Sequence, residues 1–171
     1  MPAPTPTAQT QTIIAATGHR PPAFAQRHHL TPRIHERLLS LATDYLAQHD
    51  PDLVISGMAL GWDQIVAEAA DVCGIRLHAA VPFPGQHLRW PDDAQRTYQR
   101  LLSRAYEVTT VSVEPYRPEL MQIRNEWMVN HATRIMAMFN GQPGGTANCI
   151  AYARRQRKPI DNLWQRYVTE K

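Results

Sequence analysis

The sequence predicts an α/β fold: a Rossmann-like, three-layer α/β/α arrangement around a mostly parallel sheet of five or six strands. Three observations predict it. Short apolar runs alternate with longer amphipathic stretches along the chain beyond residue 12, the pattern of strand–helix–strand units packed in layers. The amphipathic stretches carry helix punctuation, with a Thr-Pro start at Thr31-Pro32 and a glycine stop at Gly74. The composition is globular: 171 residues, 43% hydrophobic and 19% charged, with no internal repeat.

The first strand is expected at residues 13–16, Ile-Ile-Ala-Ala. A helix follows from Thr31, whose hydroxyl can cap the first turn, with proline at the first helical position. Ile34, Leu38, Leu41, Ala42 and Tyr45 recur at helical spacing and make its apolar face. Residues 52–56 (DLVIS) read as the second strand. Residues 63–73 read as the second helix, which Gly74 ends in a left-handed turn. A third strand spans residues 76–81, and a loop with proline and glycine spans 82–91. Residues 92–105 form a helix on the stripe Ala94, Tyr98, Leu101, Leu102 and Ala105. The β-branched run at 107–113 reads as a fourth strand. A helix at 119–131 and a strand at 134–139 follow. Residues 144–157 are a loop-to-helix unit whose last turn carries Arg154, Arg155 and Arg157, where the helix dipole favours cations. Residues 158–162 make a short last strand, and 163–167 a tail. Residues 1–10 read as a disordered leader and 11–171 as one domain.

Composition also excludes classes. No apolar run approaches the roughly 18 residues of a membrane span, so no membrane partner is expected. Residues 1–12 lack the basic and apolar regions of a secretory signal, so the expected compartment is the cytoplasm. Cys73 and Cys149 are too few and too far apart for a disulfide framework. No cluster of His, Cys and carboxylates proposes a metal, and no cofactor is expected. The net charge of +3 permits an anionic ligand without demanding nucleic acid.

In an open parallel sheet, ligands bind beyond the carboxyl ends of the strands. After the first strand come Gly18, His19 and Arg20, a turn with two donors at its tip or a plain strand-terminating turn. After the second comes Ser56-Gly57-Met58-Ala59-Leu60-Gly61-Trp62-Asp63. A Gly-x-x-x-Gly loop opening a helix presents backbone N–H groups to an anion. Asp63 then holds a sugar hydroxyl or serves the helix terminus. The spacing is neither the dinucleotide fingerprint nor a Walker loop. After the third strand, Phe83 either stacks on a base or plugs the core, with Gln86 and Trp90 as further candidates. After the fifth strand, Gly144-Gly145-Thr146 enters a helix in a second phosphate-cradle pattern. Arg124 and Asn125 sit mid-helix, where an arginine can fork onto an anion in the cleft or lie in solvent.

Taken together, TGHRP (17–21), ISGMALGWDQ (55–64), AAVPFPGQ (79–86), MQIRNEWMV (121–129) and GQPGGTAN (141–148) resemble the SLOG superfamily, and within it the YpsA-like group. The resemblance implies a Rossmann-like fold that binds nucleotide-derived ligands. Among relatives, the lonely-guy-type phosphoribohydrolases carry an Arg-Lys pair and a PGGxGTxEE loop. Arg124 resembles that arginine, and Asn125 replaces the lysine. Asn148 falls where that group has its catalytic glutamate, and an amide cannot act as a general acid. The DprA/Smf proteins, which bind single-stranded DNA, carry a loop similar to Ser56, Gly57, Ala59, Gly61 and Asp63. A homodimer is implied by family likeness alone.

The resulting expectation is a nucleotide or nucleotide-derived phosphate held at the carboxyl edge of the sheet by a sensor or regulatory protein. The rival is a nucleotide hydrolase using His19, Asp63 and Arg124. The third reading is single-stranded DNA binding.

Overall fold

The computed structural model describes residues 10–24 and 29–170. The leader expected at residues 1–10 lies outside them, apart from exposed Thr10. The strands are β1 (Ile13–Gly18), β2 (Leu53–Ser56), β3 (Leu77–Val81), β4 (Glu107–Thr110), β5 (Arg134–Met138) and β6 (Ile160–Asn162). The helices are α1 (Pro32–His49), α2 (Trp62–Val72), α3 (Asp92–Ser103), α4 (Glu119–His131), α5 (Gly145–Arg155) and α6 (Trp164–Thr169), with a 3-10 turn at Pro21–Ala23. Thr31 caps α1, its hydroxyl accepting from the Ile34 N–H at 3.3 Å. Gly74 turns the chain out of α2 with φ +67°.

All strand pairs are parallel, in the order β4-β3-β2-β1-β5-β6. The chain therefore builds outward from β1 to β4, then returns to place β5 on the other side of β1. A constant crossover hand sends the returning helices to the opposite face. The two cores record this. Ile14, Ala16, Val54, Leu77, Ala79, Met136 and Met138 pack with α1, α2 and α3. Ala15, Ile55, Ala80 and Ile135 pack with Met128 and Val129 of α4 and Cys149 and Ala153 of α5. Neighbouring residues of each strand serve opposite faces, as the period of two requires. The reversal of direction between β1 and β5 is a topological switch point, where such sheets leave a crevice.

The two largest departures from the expected boundaries are at β4 and at the tail. Strand β4 stops at Thr110, because its partner β3 ends at Val81 and runs into Pro82. Beyond it, only Val111 N–H to Val81 O and Ser112 N–H to Pro82 O continue the pairing, and Val113 is exposed. Residues 163–167 belong largely to helix α6, which Leu163 docks from a buried position. Trp164 and Tyr167 lie against Phe24 with ring centroids 5.8 and 5.4 Å away. Among the described residues, no helix is long and apolar enough to cross a membrane.

One close approach sets the site. Gly18 ends β1 against the indole of Trp62, the fully buried first residue of α2. A Cβ at Gly18 would lie 2.6 and 2.7 Å from Trp62 Cγ and Cβ. Gly18→Ala is therefore expected to destabilise the protein by about 1–3 kcal/mol, the usual cost of overpacking. A urea titration checks it as a lower midpoint at unchanged slope.

Candidate functional site: an arginine-floored cleft at the switch point

The carboxyl ends of the strands surround a cleft of about 880 Å³, within the size range of small-molecule sites. Gly18, His19 and Arg20 reach it from β1 and Asp63 from α2. Phe83 and Gln86 line it from the loop after β3, Arg124 and Asn125 from α4, and Gly144, Gly145 and Thr146 from the start of α5.

Arg124 forms the floor. Leu120, Arg124 and Met128 are buried at successive helical turns, so the arginine occupies the packed stripe of α4 rather than its solvent face. It is only 4% exposed. Nε donates to Asn125 Oδ1 at 3.0 Å and Nη1 donates to the Gly57 carbonyl. Nη2 has no hydrogen-bond partner among the described residues and is not sealed from the cleft. The guanidinium is thus held by two bonds with one donor edge free. Burial lowers its pKa, against an upward pull from Asp63, but an arginine remains charged.

Among the described residues, Asp63 is the one carboxylate lining the cleft. It is 6% exposed. Burial raises its pKa, opposed by Arg124, the Ala59 N–H and Arg20. In the same cleft α5 starts just after Gly144, whose φ of +144° suits glycine. No side chain caps this helix, so its first N–H groups lack acceptors and the positive end of the dipole meets the cleft.

His19 is bound inward. Its Nε2 accepts from the Asn140 backbone N–H at 2.9 Å, which requires an unprotonated Nε2 and leaves the proton on Nδ1. Its ring lies 5.7 Å from Phe139 and 5.9 Å from Trp164. Burial lowers its pKa, against a smaller upward pull from the Asn140 side chain. His19 ties the β1 tip to the loop before α5, and Nε2 is not free for proton transfer.

The loop at 57–61 lies mostly behind the cleft. Ser56, Gly57, Met58 and Gly61 do not line the cleft. Ser56 Oγ donates to the Asp63 carbonyl at 2.7 Å and accepts from the Met58 N–H at 3.1 Å. The Met58 side chain is wholly buried. The Trp62 N–H at the start of α2 donates to His19 O at 3.1 Å, and Gly61 packs against His19 and Arg20 backbone. Gly57 turns its carbonyl, not its N–H, to the Arg124 guanidinium. This glycine loop packs three elements together, and two of its amides, those of Met58 and Trp62, are taken up inside the protein. Asn148 is exposed and also outside the lining, one turn further along α5 than the residues that face the cleft.

Among the lining residues that sequence reasoning missed, two change the character of the cleft. Arg89 stands exposed on the loop after β3, and Tyr116 on the segment after β4. Tyr116 meets Phe83 edge-on, with centroids 5.3 Å apart. Phe83 is buried yet borders the cleft, so it both plugs and flanks. The lining thus combines three arginines, one carboxylate and an aromatic wall. Among the described residues, no group of three or more His, Cys, Asp and Glu is placed to hold a metal.

Similarity to known proteins agrees with this architecture. The chain is 29% identical over 139 residues to the uncharacterized SPbeta prophage-derived protein YoqJ of Bacillus subtilis, covering 72% of this chain and 81% of that one. It is 23% identical over 169 residues to a UPF0398 protein of Bacillus cereus strain B4264, covering 91% and 89%. Among solved structures, DNA processing protein A of Helicobacter pylori, described for its single-stranded DNA binding mode, superposes with a TM-score of 0.63 at 19% identity. That match covers 88% of this chain and 64% of the other. The molybdenum cofactor binding protein of Rippkaea orientalis superposes with a TM-score of 0.57 at 16% identity, covering 94% and 83%. These likenesses show the fold. The YspA SLOG family matches residues 14–169, nearly the whole chain, and the protein belongs to that family.

Proposed function

We propose that the cleft binds the phosphate of a nucleotide or nucleotide-derived ligand, and that the protein serves as a sensor or regulatory protein for it. The observation that carries this reading is the free Nη2 edge of a buried, doubly anchored arginine, facing the same cleft as an uncapped helix N-terminus. Both are donors oriented before any ligand arrives, so an anion meets little reorganisation. Arg20 and Arg89 add positive charge at the rim, and Phe83 with Tyr116 offers an apolar wall for a base.

The hydrolase reading is weaker. His19 Nε2 is committed to Asn140, Asn148 lies outside the lining, and Asp63 is the one acid at hand among the described residues. Glycosidic hydrolysis by paired carboxylates needs a second. Single-stranded DNA is the second ligand to test, because Arg20, Arg89 and Tyr116 are exposed at the rim, a cationic groove with a stacking platform.

The test is thermal unfolding and calorimetric titration with ribonucleoside mono- and diphosphates and oligo(dT), with chromatography for turnover. Stabilisation by a nucleotide without product is the expected result. At about a hundredfold excess over Kd it reaches about 2.7 kcal/mol, several degrees in Tm for a chain of this size. Product formation supports the hydrolase instead. Binding of oligo(dT) alone, falling steeply with salt, supports the strand reading. No response to any nucleotide or to inorganic phosphate overturns the proposal.

A further inference from the structure

Asp63 and Arg124 are an unusual pair of neighbours. Both are more than nine-tenths buried, and both line the same cleft. Each feels the other's charge, yet among the described residues no ion pair joins them. The Arg124 Nη2 edge has no acceptor, and no side chain donates to the Asp63 carboxylate. Neither group is sealed: each presents open polar atoms to the cleft. Apart from the Ala59 N–H the carboxylate has no hydrogen-bond donor among the described residues, and burying a charge so sparsely paired is costly; burial raises its pKa accordingly.

What fills the gap must satisfy both sides. A bare phosphate satisfies Arg124 but brings a second negative charge to Asp63. A hydroxyl satisfies both, since it donates to the carboxylate and accepts from the guanidinium. The two hydrogens of Nη2 allow one bond to that hydroxyl and one to the phosphate, which then lies between Arg124 and the α5 N-terminus, where Gly144 and Gly145 leave room and free N–H groups. A sugar carrying a hydroxyl near its phosphate spans these two positions.

We infer that Asp63, seated beside Arg124, accepts a hydrogen bond from a ribose hydroxyl and so selects ribonucleotide ligands over forms that lack that hydroxyl. This rests on the phosphate-site reading above and adds the specificity it lacks. It also disfavours a DNA strand, whose sugars lack the 2′-hydroxyl and carry the 3′-oxygen as a phosphate ester with no hydrogen to donate.

The experiment titrates the protein with ribonucleoside 5′-mono- and diphosphates, each alongside its 2′-deoxy, 3′-deoxy and corresponding O-methyl forms. One of the two deoxy forms is expected to bind about 10- to 100-fold more weakly, as befits a hydrogen bond to a charged acceptor. The O-methyl form at that position, which accepts but cannot donate, binds no better than the deoxy form. Asp63→Asn keeps the shape and narrows the ribose-to-deoxyribose ratio by about tenfold. The wild-type ratio decides the matter even if that variant fails to fold. Binding of both deoxy forms within about twofold of the ribose form overturns the inference and leaves the phosphate site standing. An unchanged ratio in a folded Asp63→Asn protein overturns the assignment to Asp63. Failure of every nucleotide and of inorganic phosphate to bind overturns both.

Discussion

Gly145→Asp is expected to abolish nucleotide binding while leaving the free protein as stable as before, or more so. The two effects have opposite signs and one cause. Gly145 is the first residue of α5, its φ is not in the left-handed region, and a Cβ built there meets nothing within 4 Å. A side chain therefore fits without strain. Replacing glycine there restricts the unfolded chain, worth about 0.4–1 kcal/mol. A carboxylate in the first turn adds about 0.3–1 kcal/mol against the helix dipole. The open space is the cleft itself, because Gly145 lines it. The new charge would stand where the phosphate is to sit. Two like charges about 4 Å apart repel by about 4 kcal/mol at an effective dielectric of 20, so affinity falls by at least about 100-fold. Gly145→Ala separates charge from bulk: it adds a methyl group without repulsion and is expected to keep most of the binding. Calorimetric titration and thermal unfolding of both variants check the prediction. Undiminished binding by the aspartate variant shows that no anion uses the start of α5.

The contrast between the two glycine loops explains what the sequence makes legible here. The six strands, the capped start of α1 and the glycine stop of α2 follow from short-range patterns, because hydrophobic period and cap chemistry are local. The convergence of the loops after β1, β3 and β5 also follows, because a parallel sheet places the carboxyl ends of its strands on one edge. Which way a loop turns its amides is not local. Gly57 is held by a guanidinium 67 residues away, and Gly61 by the backbone at His19 and Arg20. No spacing within residues 56–63 carries that information. The role of Arg124 did have a signal. It sits four residues from both Leu120 and Met128, on the apolar stripe, where a charged side chain must find partners. Arg89 and Tyr116 lie on aperiodic loops, and only their positions past strand ends marked them. The tail that becomes α6 carried Trp164 and Tyr167 three residues apart, a short helical face.

Gly57→Ala is the substitution by which the floor of the cleft can be tested without touching its lining. The backbone at Gly57 is not in the left-handed region, so alanine can adopt it. The obstacle is spatial, since the new Cβ would stand 2.5 Å from Arg124 Cζ and 2.9 Å from its Nε. The obstructing atoms are the end of a long side chain, not backbone. The guanidinium must swing away, giving up the Gly57 carbonyl and disturbing its bond to Asn125. Stability falls by about 1–3 kcal/mol, for overpacking and a weakened buried network. Binding falls further. Arg124 now enters the complex unanchored, and losing one side of a buried charged contact costs about 2–5 kcal/mol, about 30-fold or more in Kd. The opposite outcome has an equally definite meaning. If the amides of residues 57–61 held the phosphate, alanine would keep the N–H at 57 and leave affinity unchanged. A titration that shows wild-type affinity in a folded Gly57→Ala protein therefore removes Arg124 from the site. A large loss in a folded protein assigns it, because the altered residue itself never faces the ligand.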